Sequence, residues 1–70
     1  MEKDWIKIFS STDFFKTEFI RQALIEQNLP AVLINKKDSS YGFGQVELYV
    51  KVENELFARE VVAETTMKEE

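Results

Sequence analysis

The residues of this chain that could carry out chemistry are its carboxylates and serines, because the sequence contains no cysteine and no histidine. This composition excludes disulfides, thiolate or imidazole metal sites and the usual activated nucleophiles. A carboxylate that acts as a general acid or base needs a shifted pKa in a cleft. Among the thirteen acidic residues only Glu47 falls on a predicted sheet, opposite lysines rather than in an apolar pocket. The sequence therefore favours a protein without catalytic activity, and it predicts no metal and no cofactor.

The stretch from residue 36 to residue 44 contains the residue types of a small-ligand site. Glycines allow close backbone approach, lysines can meet an anion, and aromatic side chains can stack on a ring. The candidate residues of this loop are Lys36, Lys37, Tyr41, Gly42, Phe43 and Gly44. Their spacing does not match a phosphate-binding loop, which follows a strand and opens a helix. The competing and simpler interpretation is a long hairpin connection with its aromatic side chains folded back on the sheet edge.

A second candidate site is one face of the predicted sheet. Strict alternation from Val46 to Val52 predicts a central strand with one buried and one open side. The side chains predicted to face the core are Val46, Leu48, Val50 and Val52. The other side of the sheet, which we call the open face, is predicted to carry Trp5, Lys7, Phe9, Glu47, Tyr49 and Lys51. Three aromatic residues on an uncovered face indicate an interaction surface, and a solvated face with cross-strand pairs is the alternative.

The open face allows several kinds of partner. A second copy of the chain or another protein could pack on the face itself, or could add a strand to the free edge of the first strand. Aromatic stacking on single-stranded RNA is less favoured, because the net charge of −4 opposes binding to a phosphate backbone. A small-ligand sensor that uses the loop is the alternative function. Phe14 and Ile25, beside Glu18 and Arg21 on the first helix, could also dock a partner or be ordinary exposed apolar residues.

The elements that must position these residues alternate between strands and helices. Trp5 to Phe9 reads as a strand, and Ser11, Thr12 or Asp13 then caps a helix that runs to about Gln27. Asn28 can adopt a left-handed conformation after the helix, and Pro30 prevents its continuation. Ala31 to Asn35 is too short for a helix and reads as a second strand. After the central strand, Glu53 or Asn54 caps a second helix. The predicted buried stripes are Phe19, Ile20, Ala23 and Leu24 in the first helix and Phe57, Ala58, Val61 and Val62 in the second.

This order predicts an α+β fold, β-α-β-β-α, of the ferredoxin-like split-plait type. The sheet has three strands in the order 2-3-1, and both helices lie on one face. The 70 residues form one domain with an ordered core from about 4 to 64, and residues 65–70 are predicted to fray. The alternatives are the order 1-2-3 or a final strand formed by Thr65, Thr66 and Met67.

The cellular setting follows from segments that the sequence lacks. No basic stretch at the start precedes an apolar run, and no apolar run approaches ~18 residues, so a cytoplasmic protein is expected. A domain of this size gains little net stability from its core, and it has neither disulfides nor a structural metal. Self-association is the remaining way to stabilise such a chain, so a homo-oligomer is expected.

The pattern resembles a family of small bacterial domains described as signal-transducing proteins and loosely likened to the PII-like regulators. The resemblance covers roughly residues 4 to 64. It is carried by 5–9 (WIKIF), 20–26 (IRQALIE), 28–31 (NLPA), 33–35 (LIN), 46–50 (VELYV), 52–54 (VEN) and Ala58. Members often have a glycine near the Asn28–Leu29 turn, where this chain has asparagine. The resemblance implies the compact plait and a regulatory or binding role, and it assigns no functional residues.

Overall fold

A three-stranded sheet and two helices make up the described part of the chain, residues 4–36 and 45–67 of a computed structural model. The elements are β1 (Trp5–Ser11), α1 (Phe14–Glu26), β2 (Ala31–Asn35), β3 (Val46–Lys51), a 3₁₀ turn (Val52–Asn54) and α2 (Glu55–Met67). The sheet order is β1-β3-β2, and β3 is antiparallel to both neighbours. The predicted α+β class and strand order are confirmed, and the order 1-2-3 is wrong.

Helix α1 begins and ends at residues that satisfy its free backbone groups. The Asp13 carboxylate accepts a hydrogen bond from the Lys16 N–H (3.1 Å), as an N-cap residue should. After the last turn Asn28 has φ 65°, and the Leu29 N–H donates to the Leu24 carbonyl at 3.0 Å. This is a Schellman motif, and Leu24 and Leu29 both pack in the core, as the motif's hydrophobic contact requires. The predicted N-cap at Asp13 and the left-handed Asn28 are confirmed.

One hydrophobic cluster joins both helices to one face of the sheet. Its buried members are Ile8, Ile20, Leu24, Leu29, Leu48, Val50, Ala58 and Val61. Leu48 and Val50 point to the same side of β3, because alternate residues of a strand share a face. Both helices therefore cover that face, with α1 over β2 and α2 over β1.

The buried stripes of the two helices differ from the predicted ones. Phe19 is 60% exposed and Phe57 is 47% exposed, so the prediction that they belong to the core is wrong. In α1 the buried positions are Thr17, Ile20 and Leu24. Thr17 is fully buried because its hydroxyl donates to a backbone carbonyl one turn earlier at 3.0 Å, which satisfies the polar group. Thr17 is therefore a core residue of α1, whereas Phe19, which the hydrophobic pattern places in the core, is exposed.

A β-bulge in β1 changes which side chains reach the core. Lys7 is opposite Tyr49, but Phe9 is opposite Leu48, so Ile8 is an additional residue in this strand. Two residues of a bulged strand face one residue of its neighbour. Phe9 therefore lies on the helix side of the sheet and packs against the core beside Ile8. Its predicted position on the open face is wrong, because strict alternation fails at the bulge.

The ends of β3 and α2 also differ from the predicted ones. The strand ends at Lys51, and Val52 is 50% exposed at the start of the 3₁₀ turn, so its predicted core position is wrong. The Val52 N–H donates to the Asp4 carbonyl at 2.8 Å. Helix α2 continues to Met67, and Thr65 is buried with its hydroxyl donating to a carbonyl one turn earlier. Residues 65–67 are therefore helical, and the alternative of a final strand is wrong. The predicted fraying of residues 65–70 stays a prediction, and residues 68–70 lie outside the described residues.

Candidate functional site

The open face is the side of the sheet on which neither described helix packs. The strand register places Trp5, Lys7, Ser10, Val32, Ile34, Glu47, Tyr49 and Lys51 on it. Five of the six predicted residues are therefore brought together, and Phe9 is not among them. Three residues were missed: Ser10, Val32 and Ile34. The signal for the last two was present, because β2 is apolar at consecutive positions and so presents hydrocarbon on both sides of the sheet.

A buried carboxylate lies at the centre of the open face. Glu47 is only 7% exposed, although it is on the side away from the helices. Its Oε2 is 3.4 Å from the Lys7 Nζ, and its Oε1 is 3.4 Å from the Lys36 Nζ. The Tyr49 hydroxyl donates to Oε1 at 2.8 Å. We call these four residues the Glu47 cluster, in which each carboxylate oxygen has a partner, as a buried charge requires.

Proton affinities in the Glu47 cluster follow from this geometry. The Tyr49 hydrogen bond holds the pKa of Glu47 below its usual value, aided by the charges of Lys36 and Lys7 and opposed by burial. The same hydrogen bond raises the pKa of Tyr49, and burial and the negative charge of Glu47 act in the same direction. Glu47 therefore stays ionised and Tyr49 stays protonated at neutral pH. A carboxylate with a lowered pKa is a poor general base, so the cluster suits recognition better than proton transfer.

Titration of Tyr49 tests this hydrogen bond. In a Tyr41→Phe background only Tyr49 contributes phenolate absorbance, and we expect its midpoint above the ordinary value of 10.0. Adding Glu47→Gln removes the negative charge, so the midpoint should return toward 10.0. Because the folded pKa is raised, this contribution to stability is present below pH 10.0 and is lost as the pH rises through the folded pKa. A midpoint of 10.0 in both proteins would contradict the bond.

A second feature of the open face is the pair of Trp5 and Lys51. The two residues are directly opposite each other in the β1–β3 register. The Lys51 ammonium lies 5.2 Å from the centroid of the Trp5 ring, within the range of a cation–π interaction. Near the other end of the face, the Gln45 amide donates to the Ser10 hydroxyl at 3.1 Å. The aromatic and charged groups are thus held in place by pairwise contacts.

Of the loop predicted as a ligand site, residues 36–44, the structure describes only Lys36. Lys36 continues the β2–β3 ladder through its N–H, which donates to the Gln45 carbonyl at 2.8 Å. Its side chain belongs to the Glu47 cluster, so this lysine is part of the open face. The other candidates lie outside the described residues: Lys37, Tyr41, Gly42, Phe43 and Gly44.

The chemistry available on the open face is that of binding. The face carries three lysines and one carboxylate: Lys7 and Lys36 are paired with Glu47, and Lys51 lies over Trp5. This gives the face an excess of two positive charges on a chain of net charge −4. Trp5 and Tyr49 add aromatic surface, and β2 adds aliphatic surface. Within residues 4–36 and 45–67, no group of three acidic side chains is arranged to hold a metal ion.

Comparison of the chain with protein-family models, curated proteins and solved structures found no match. The resemblance to small signal-transducing domains therefore stays a prediction. In the part of the chain that the structure describes, neither helix is long and apolar enough to cross a membrane.

Proposed function

We propose that this chain is a small non-catalytic cytoplasmic binding module, whose open face binds a partner protein that presents acidic and apolar side chains. One observation supports this proposal most directly: the open face carries three lysines but only one carboxylate, the buried Glu47, which is paired with Lys7 and Lys36, while Lys51 lies over Trp5. The same face also carries aromatic and aliphatic groups. The ferredoxin-like plait and the regulatory role implied by the family resemblance are parts of the same proposal.

The charges of the open face favour an acidic partner. Glu47 already accepts from Tyr49 and is paired with Lys7 and Lys36, so it offers little to an incoming cation. Lys7 and Lys36 keep about half of their side-chain surface exposed, at 48% and 57%. Their ammonium groups can therefore meet a carboxylate of a partner while they still hold Glu47. Charge complementarity of this kind mainly sets specificity and the rate of association.

The apolar groups of the open face favour a protein rather than an inorganic anion. Four aromatic or aliphatic side chains of the face are half-buried: Trp5, Tyr49, Val32 and Ile34. Aromatic residues are enriched in protein interfaces, because one rigid side chain contributes a large contact area. Burying these side chains against a partner would supply the hydrophobic contribution that ion pairs on a protein surface do not provide.

The proposal can be tested with a random-peptide phage library selected on the immobilised chain. We expect the selected peptides to be enriched in aspartate and glutamate beside apolar residues. Trp5 is the only tryptophan, so its emission should change when a selected synthetic peptide binds. Reversing a charge beside Trp5 with Lys51→Glu should weaken binding by about tenfold or more. The matched control Lys16→Glu makes the same change of charge on α1 and should leave the affinity unchanged.

Two results would overturn this function. The first is equal loss of affinity in Lys51→Glu and Lys16→Glu, which would show a general charge effect rather than binding at the open face. The second is salt-sensitive quenching of Trp5 by a single-stranded oligouridylate with no acidic enrichment among the selected peptides. That result would assign the open face to nucleic acid, where aromatic stacking and lysine–phosphate contacts operate together.

A further inference from the structure

We propose that the outer edge of β2 and one flank of α1 form a two-fold interface with a second copy of the chain. The flank consists of Phe14, Glu18, Arg21 and Ile25, and we call it the α1 flank. This inference goes beyond the proposed function and does not depend on it, because the open face lies on the other side of the sheet.

The two edges of the sheet differ in how well they are protected against strand addition. On β1 the bulge at Ile8 and the exposed Lys7 both disfavour pairing with another chain. Strand β2 (Ala31–Asn35) has neither device: it contains no charged residue, and its pairing with β3 is regular along its whole length. Among the described residues, no strand lies on its outer side. The free edge of the first strand, expected from the sequence, is thus the less suitable of the two.

The α1 flank lies above this edge. The buried stripe of α1, formed by Thr17, Ile20 and Leu24, has a flank on each side. The α1 flank is on one side, and the flank on the other side carries Ala23, which packs against the core. With right-handed crossover from β1 through α1 to β2, the Ala23 flank faces α2 and the α1 flank faces outward over β2. Phe14 is 41% exposed and Ile25 is 40% exposed. A copy that pairs at the β2 edge would therefore bring its own α1 flank against this one.

The α1 flank is complementary to itself in an antiparallel arrangement. Along the helix, Phe14 and Ile25 are equally far from the point between residues 19 and 20, and so are Glu18 and Arg21. A two-fold axis through that point places Phe14 opposite Ile25 and Glu18 opposite Arg21 of the second copy, which is what an isologous interface needs. Pairing β2 with its own copy across the same axis makes the two α1 helices antiparallel. Helix α1 is about 20 Å long and β2 about 17 Å, so one axis can pass near the middle of both.

The charges of the α1 flank are fixed and correctly oriented within each chain. The Arg21 guanidinium donates to both oxygens of Glu18, at 2.9 and 2.8 Å. Hydrogen bonds from Arg21 and then Gln22 lower the pKa of Glu18 to about 2, so this carboxylate is ionised at neutral pH. Two such pairs facing each other form a network of four alternating charges with apolar residues at both ends. A network of this kind favours one alignment of the helices over others.

The test is the mass of the wild-type chain and three variants, measured by sedimentation from micromolar to hundreds of micromolar. We expect the wild type to reach twice the mass of the chain. Glu18→Arg places four arginines together at the interface, so the dimer Kd should rise by about tenfold or more. The double variant Glu18→Arg/Arg21→Glu restores alternating charges and should restore the dimer. The matched control Glu55→Arg breaks a similar intrahelical ion pair on α2 and should leave the dimer intact.

Circular dichroism distinguishes loss of the interface from loss of the fold, because charge reversal at these partly exposed sites should not unfold the helix. A wild-type chain that is monomeric over the whole range would overturn the inference. So would a Glu18→Arg dimer as tight as the wild type, or a double variant no tighter than the single one. Peptide binding at the open face should be the same in all three variants, so a failure here leaves the proposed function standing.

Discussion

Leu48→Ala should unfold this domain or leave it barely stable, and it is the substitution with the largest expected effect. Leu48 lies on the central strand, is fully buried and packs with residues of both helices. Truncating a buried leucine costs about 2–5 kcal/mol, from lost transfer free energy and from the cavity left behind. A chain of 70 residues has a total stability of roughly 3.5–10 kcal/mol at ordinary values per residue. Urea denaturation followed by circular dichroism measures the loss directly.

The chain offers a matched control in Leu56→Ala. Leu56 is 80% exposed on α2, so the same chemical change should alter the free energy of unfolding by no more than about 0.5 kcal/mol. The difference between the two variants removes the effects of leucine and alanine on the unfolded chain. Similar losses for both would contradict the core described above, and would show that Leu56 is covered in solution, for instance by a partner.

The second large effect is expected from Phe9→Lys, which tests the bulge in β1. Phe9 packs against the core on the helix side of the sheet. Replacing it removes apolar contacts worth about 3 kcal/mol for an aromatic residue and places an ammonium group against hydrocarbon. We therefore expect a loss of about 3 kcal/mol or more in the free energy of unfolding, measured by urea titration.

The neighbouring variant Ser10→Lys is the control for this test. Ser10 is opposite Glu47 on the open face, so a lysine there should change stability by less than about 1 kcal/mol. Without the bulge, Phe9 would be opposite Glu47 and Ser10 would face the core. The costs of the two substitutions would then be reversed. A greater loss for Ser10→Lys than for Phe9→Lys would rule out the register described here.

The fold could be predicted from local signals that act within a few residues. Asp13, Asn28 and Pro30 mark the start and end of α1 through cap and turn chemistry, which needs no tertiary information. The alternation of β3 identifies its buried face from Val46 to Val50 because the strand is regular there. Right-handed crossover then leaves few ways to arrange three strands, and the predicted order is the observed one.

The predictions from sequence are wrong at positions where the local sequence suits a buried or an exposed side chain equally well, and a tertiary contact decides between them. No residue in β1 signals the bulge, since Ile8 and Phe9 suit either face of a strand. Thr17 reads as a surface residue and Phe19 as a core residue, but a hydroxyl bonded to its own helix can be buried. On the open face, Glu47 and Tyr49 were predicted together. The contact of Lys36 with Glu47 was not predicted, because Lys36 lies just beyond the end of β2.

The position of β3 in the sheet has a consequence for how the chain folds. Within residues 4–36 and 45–67, β1 and β2 each pair only with β3, so none of these strands can pair within the chain before β3 is present. The contact between Lys7 and Glu47 spans 40 residues of sequence. Closing such a loop costs entropy before any strand contact offsets it, so folding should be slower than in a helical bundle of equal size. On the ribosome, the apolar residues of β1 and β2 stay without a strand partner until β3 has emerged.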